Sequence, residues 1–184
     1  MKRQELILSM MMFGKFRSNR AKRDKDGKTI KDKKGKNILE KCWVYHNELN
    51  GDPGVFPSVN RIYQRAQGGR QKLTKAAENL FDRWVAEASG WVEDNSWVIT
   101  DDKVILEIDV FFPNDNRKRD THNALKLMMD AFENVIYTND SKALPRIMNY
   151  QKIEDGEYPH FKLNIYRQDE EDEIMRKRYA TTPA

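Results

Sequence analysis

The sequence predicts an α/β chain of the α+β type: one domain on a mixed sheet of about four strands with two main helices, in the order β-α-β-α-β-β. Three observations carry this reading. Ala77, Leu80, Phe81, Trp84, Val85 and Ala88 repeat at helical spacing, as do Leu125, Met128, Met129, Phe132 and Ile136. Val104, Leu106, Ile108, Val110 and Phe112 alternate with a mixed set, as a strand with one apolar face does. Residues 1–37 carry 13 Lys and Arg against 4 acids, a net +9, whereas residues 38–166 carry 16 against 20. A basic N-terminal arm (1–37), a core domain (38–166) and a charged C-terminal tail (167–184) follow from that split.

Residues 6–13 form the longest apolar run, interrupted by Ser9 and far short of the roughly 18 residues of a membrane span. Glu5 and the absence of a small-residue cleavage site favour a structured N-terminal element over a secretory signal. Residues 20–37 are nearly devoid of apolar side chains and contain Asp26-Gly27 and Lys34-Gly35, pairs that punctuate turns and exposed hairpins. No internal repeat is evident. The arm is either a solvated tail or a phosphate-binding segment whose affinity would come from counterion release, without sequence preference.

Cys42, Trp43, Val44 and Tyr45 read as the first core strand. A turn rich in Gly and Pro follows, then a loop with Arg65, Gly68, Gly69 and Arg70. Thr74 caps the first long helix, and Gly90 is expected to stop it. Pro113 and Asn114 end the alternating strand, and the second helix is expected over 121–135. Residues 147–153 and 161–165 complete the sheet as two strands separated by a turn at Asp155-Gly156 that favours a hairpin. The run 169–173, followed by Arg176, Lys177 and Arg178, is either a terminal helix with acids at its N-end or a solvated tail. Cys42 is the only cysteine, which excludes an internal disulfide and multi-cysteine zinc sites and fits a reducing cytoplasm.

The chemistry concentrates where the long strand meets the second helix. Arg117-Lys118-Arg119-Asp120-Thr121-His122-Asn123 lies at a helix entrance, where unsatisfied N–H groups welcome phosphate. If residues 120–122 stay extended, Asp120 and His122 project to one side and can approach one metal ion. His122, Lys126 and Asp130 then follow at spacings of four, a polar stripe opposite Leu125 and Phe132. Taken alone, such a stripe is an ordinary solvated face, and Asp120 an ordinary cap. Asn139-Asp140-Ser141, a turn before the next strand, adds a second acidic corner.

The order Arg119-Asp120-Thr121-His122-Asn123, Lys126, Asp130-Ala131-Phe132 and Asn139-Asp140 resembles the RusA family of Holliday-junction resolvases. In that family an Arg-Asp-x-Asp-Asn segment, a lysine three residues after the asparagine, and the second aspartate of an Asp-Asp pair form a metal-binding cluster. Pro57-Ser58-Val59-Asn60-Arg61-Ile62-Tyr63 is similar to its Pro-x-Ser-x-Asn-x-x-Tyr region, and the resemblance spans about residues 43–166. It implies an endodeoxyribonuclease that uses Mg²⁺ or Mn²⁺ on four-way DNA junctions in bacterial or phage recombination and repair. Asp120, His122 and Asp140 would be the metal ligands, and Lys126 would stabilise negative charge. Two symmetric cuts imply a homodimer.

Asn60, Arg61, Tyr63, Arg65, Arg70, Lys72, Arg117, Arg119 and Asn123 are the expected DNA contacts, the cations on phosphates and Tyr63 as a stacking ring. His122 replaces the family's second aspartate and Asn139 the first acid of its Asp-Asp pair. Imidazole suits Mg²⁺ poorly, so Mn²⁺ is favoured, or His122 stands behind the ligands, or catalysis is impaired. The alternative is a non-catalytic nucleic-acid-binding protein with a decayed metal site. Metal dependence separates the two.

Overall fold

Val104, Leu106, Ile108, Val110 and Phe112 are all buried. In the computed structural model, which describes residues 4–154 and 156–180, they form the inward face of a central strand. The strands are β1 (Leu6–Ser9), β2 (Gly14–Ala21), β3 (Leu39–His46), β4 (Tyr63–Arg65), β5 (Gln71–Leu73), β6 (Val104–Phe112), β7 (Ala143–Lys152) and β8 (His160–Arg167). The helices are α1 (Val59–Ile62), α2 (Lys75–Asp94), α3 (Leu125–Phe132) and α4 (Glu171–Ala180). The main sheet has the order β1-β8-β6-β7. β8 runs antiparallel to β1 and β6, and β7 runs parallel to β6. The hairpin expected between β7 and β8 is therefore not formed: β6 takes one of them on each edge and lies between them, and Asp155 of the expected turn lies outside the described residues.

The order β-α-β-α-β-β therefore stands, with β1, α2, β6, α3, β7 and β8 as its members. Its first strand comes from residues 6–9, inside the segment expected as an arm, and not from residues 42–45. The reason is burial: Leu6 and Leu8 are buried on either side of exposed Ile7, as a sheet edge requires, and Met10, Met11 and Met12 beyond them are buried as well. Two indoles lock this edge to α2. Trp84 Nε1 donates to the Ser9 carbonyl at 2.7 Å and Trp91 Nε1 to the Gln4 carbonyl at 2.6 Å. Burying Trp91 also explains why α2 runs through Gly90 to Asp94, since a mid-helix glycine costs only about 1 kcal/mol.

Residues 42–45 pair instead with β2, in a two-stranded ribbon outside the main sheet. The residues between its strands repeat a local structure that the sequence reading had not seen. Asp24 Oδ1 accepts the N–H groups of Asp26 and Lys28, and Asp32 Oδ1 accepts those of Lys34 and Lys36. Gly27 and Gly35 close the two turns at φ 80° and 77°, a conformation that favours glycine. The N–H of Ile30 reaches the carbonyl of Lys22, and that of Ile38 the carbonyl of Ile30, so the turns are stacked in tandem.

Within the tail after Arg167, residues 171–180 form the helix α4. Arg178 on α4 pairs with Glu107 at 2.7 Å, and Tyr166 donates to the same carboxylate at 2.8 Å. Arg146 and Glu171 form a second ion pair between β7 and α4. The face of β6 opposite the main core is thereby covered over Ile105 and Glu107, while Asp109 and Phe111 lie further along it.

Burial alone would raise the Glu107 carboxyl, but hydrogen bonds from Arg178 and Tyr166 hold it below the usual carboxylate range. A depressed acid stabilises the fold above its unfolded value, near pH 4.3, and that contribution fades as pH falls through the lower folded value. Urea unfolding followed between pH 3 and pH 7 is expected to show this loss at the acid end. Glu107→Gln should flatten the slope there.

Candidate active site

A parallel pair such as β6–β7 needs a crossover, and residues 113–142 supply it. The crossover begins with a loop braced by one ion pair. Arg119 donates from Nη1 and Nη2 to the two oxygens of Asp115, at 2.6 and 2.7 Å, and its side chain is only 6% exposed. That hydrogen bond, with backbone and charge support from Arg117, holds the Asp115 carboxyl below the usual range. Lys152 Nζ donates to the Asp115 carbonyl at 2.8 Å and fastens the loop to the end of β7.

Asp120 follows with extended backbone, φ −91° and ψ 123°, and its side chain caps nothing. A 3-10 turn then starts at Thr121 and runs to Ala124 before α3 begins at Leu125. Residues 120–122 are thus not extended as a unit, and the two-residue spacing does not align Asp120 with His122. Asn123, three residues along the turn, donates instead from Nδ2 to Asp120 Oδ2 at 3.0 Å. His122 is exposed on the same turn.

The helix expected over 121–135 is shorter, because it is wound as 3-10 at its start and is ended near Asn134 at φ 61°. Leu127, Met128, Met129, Ala131 and Phe132 are its buried residues. Lys126 and Asp130 keep the i,i+4 relation, with Lys126 Nζ at 2.5 Å from Asp130 Oδ1. The same ammonium lies 4.0 Å from Asp140 Oδ2. Asp140 opens a 3-10 turn capped by Asn139, whose side chain accepts the Ser141 N–H at 3.0 Å and donates to Glu133 at 3.2 Å.

The hydrogen bond to Asp130 raises the Lys126 ammonium above its ordinary value against partial desolvation, and Tyr63 and Asp140 add to the effect. The buried Tyr137 phenol is pushed up by burial and then by Asp140, Asp130 and Glu133. Lys126 thus stands between two carboxylates, Asp130 and Asp140. Among the described residues, no three His, Cys, Asp or Glu side chains gather as a group that could hold a metal ion.

The remaining expected contacts divide by position. Asn60 and Arg61 are exposed on α1, which packs beside α3. Tyr63 is half-buried against the core at the start of the β4–β5 hairpin. Arg65 and Lys72 are exposed on opposite faces of that hairpin, because Tyr63↔Leu73 and Gln64↔Lys72 are cross-strand partners. Arg70 is exposed at its turn, and Arg117 is exposed on the loop before Asp120. Arg119 is paired through both terminal nitrogens with Asp115, so its guanidinium braces the loop. Asp115 and Asp130 are the carboxylates that pair with Arg119 and Lys126, and neither was among the expected site residues. Asp130 stood in the polar stripe, whereas nothing in the spacing of a non-helical loop marked Asp115.

A short loop held by a buried arginine, a carboxylate at a helix entrance, a lysine one turn later and an aspartate before the next strand follow the order found in one nuclease family. The family model described as Endodeoxyribonuclease RusA matches residues 53–166. The chain belongs to the RusA endodeoxyribonuclease family. The match contains every expected site residue, from Asn60 to Asp140, while β1 and the β2–β3 ribbon precede it. Comparison with curated proteins gives no match. No helix among the described residues is long and apolar enough to cross a membrane.

In this RusA-family chain the loop from Pro113 to Asp120 depends on the Arg119–Asp115 fork. Arg119→Ala should cost roughly 2 kcal/mol, the value of charge-assisted hydrogen bonds lost from a shielded site. Arg117→Ala, at an exposed residue 3.9 Å from Asp115, should change stability by less than about 0.5 kcal/mol. Denaturant unfolding of the two variants checks the contrast.

Proposed function

We propose that this chain is a divalent-metal-dependent endodeoxyribonuclease that resolves four-way DNA junctions in recombination and repair. What supports the reading, beyond the family, is Lys126. Its ammonium contacts Asp130 and faces Asp140, on the helix whose entrance carries the Asp120–Asn123 pair. A cation so held suits the negative charge that develops on a phosphodiester during hydrolysis.

Asp120 and Asp140 are the proposed metal ligands. Both are exposed carboxylates, and Mg²⁺ commonly takes one or two carboxylates together with substrate phosphate and water, so a closed cage of three protein ligands is not required. When bound, the ion supplies Lewis acidity to the phosphoryl oxygens. Asn123 orients the Asp120 carboxylate through its amide, and Asp130 holds Lys126 in position. His122 offers an imidazole that Mn²⁺ accepts more readily than Mg²⁺. Two such sites in a symmetric homodimer would cut opposing strands, in the reducing cytoplasm that a lone cysteine fits.

The test is cleavage of a synthetic four-way junction in Mg²⁺ or Mn²⁺, beside linear duplex of the same sequence. Wild-type protein is expected to nick the junction in preference to the duplex. Asp120→Asn and Asp140→Asn should abolish nicking, and Lys126→Met should slow it about 100- to 1,000-fold. Junction binding without any metal-dependent nicking would favour the non-catalytic alternative.

The same assay addresses His122. Its replacement in His122→Asp is expected to raise Mg²⁺-supported cleavage relative to Mn²⁺-supported cleavage, and an unchanged ratio would remove the imidazole from the metal site.

A further inference from the structure

The β2–β3 ribbon precedes the family match and takes no part in the site just described, yet its surface has a distinct composition. Cross-strand partners share a face, so Lys15 with Tyr45, Asn19 with Lys41, and Trp43 lie on one side. This side is open: Trp43 is 57% exposed, Tyr45 65% and Leu39 60%. Lys15 Nζ lies 5.1 Å from the centre of the Trp43 ring. Aromatic rings grouped with lysines on one open face match a ligand that presents both π-faces and negative charge.

The tandem turns extend the same chemistry. Residues 22–36 hold eight Lys and Arg against three Asp, and all are exposed but Ile30. Asp24 and Asp32 are turned onto backbone N–H groups, which leaves the lysines to dominate the outer field. The base of the ribbon is tied to the loop that follows it. His46 at the end of β3 contacts Asp52 at 2.9 Å. Burial would raise the Asp52 carboxyl, but His46, the Gly54 N–H and the nearby Arg117 together lower it. Arg117 belongs to the loop that leads to Asp120.

We propose that the ribbon is a second DNA-binding surface, in which the turn lysines hold backbone phosphates of one junction arm and Trp43 and Tyr45 stack on bases unpaired at the branch. This rests on the reading of the chain as a junction nuclease and adds a contact that the family's matched segment does not contain. The lysines would supply salt-dependent affinity, and the aromatic pair a preference for branched or single-stranded DNA over plain duplex.

The four tryptophans make a direct test possible. Trp84, Trp91 and Trp97 are buried at 0%, 4% and 6% exposure, so quenching of fluorescence by DNA reports Trp43. Full-length protein is titrated in EDTA with an unlabelled four-way junction, following fluorescence, and with a dye-labelled one, following anisotropy. Quenching is expected, and Trp43→Phe should remove it. Trp43→Ala with Tyr45→Ala should weaken junction binding about tenfold or more, with little change in salt dependence. Charge reversal at Lys25, Lys28, Lys33 and Lys36 to Glu should weaken binding as strongly and reduce the slope of log affinity on log salt by about 3 or more.

Unchanged affinity in both sets of variants, or loss of the dimer in Trp43→Ala without loss of DNA affinity, would overturn the proposal. Cleavage in Mn²⁺ separates this outcome from failure of the nuclease reading. Ribbon variants should still cut at saturating protein, whereas a wild-type protein that binds through the ribbon and never cuts would refute the nuclease reading alone.

Discussion

The parallel pairing of β6 with β7 is the constraint on which the site depends. Adjacent parallel strands cannot be joined by a tight turn, so the chain must leave the end of β6, cross the sheet and return to the start of β7. Every residue assigned to the proposed chemistry lies on that return path. Asp120 stands at the helix entrance, Lys126 on its first turn, and Asp140 where the chain re-enters the sheet. The buried face of α3, from Leu127 to Phe132, fixes the path by packing on α2 and α1 within the common core. The polar groups are carried opposite this face, so core packing and site geometry are two results of one crossover.

Electrostatics within the crossover divides into a closed part and an open part. Arg119 and Asp115 satisfy one another in a shielded fork and serve the loop's shape. Lys126 instead stands between Asp130 and Asp140 while half its side chain remains exposed, so it is held without being withdrawn from solvent. Asp120 keeps its partner Asn123 and an exposed carboxylate. A rigid support under polar groups that face outward is what a site acting on a large phosphate polymer needs, since the substrate arrives on the surface and not in a deep cavity.

Around the family core, this chain adds covers and extensions that use different forces. α4 is attached by charge, through Arg178–Glu107 and Arg146–Glu171, and shields one half of the outer sheet face. The ribbon is held together by its own backbone pairing, and it meets the core where β2 lies against α2 and through links near its base such as His46–Asp52 and Arg83–Glu48. Its tandem turns are stabilised locally by Asp side chains on backbone N–H groups, which is why so polar a segment holds a regular conformation without a core of its own.

The amino-acid pattern by itself determined the class of fold, the identity of β6, α2 and α3, and the order of Asp120, Lys126 and Asp140, because periodicity and short motifs are local properties of the chain. It misplaced the first strand: Trp43 and Tyr45 have strong strand propensity, but the sheet edge went to Leu6 and Leu8, whose burial against Trp84 no local signal reports. It assumed an extended Asp120–His122 pair, and the 3-10 winding from Thr121 gave Asp120 to Asn123 instead. It gave Arg119 no partner within the chain, and the folded loop pairs it with Asp115. In each case tertiary structure decided which partner a side chain meets, since propensity describes one residue at a time whereas hydrogen bonds and burial belong to pairs brought together from distant places in the chain.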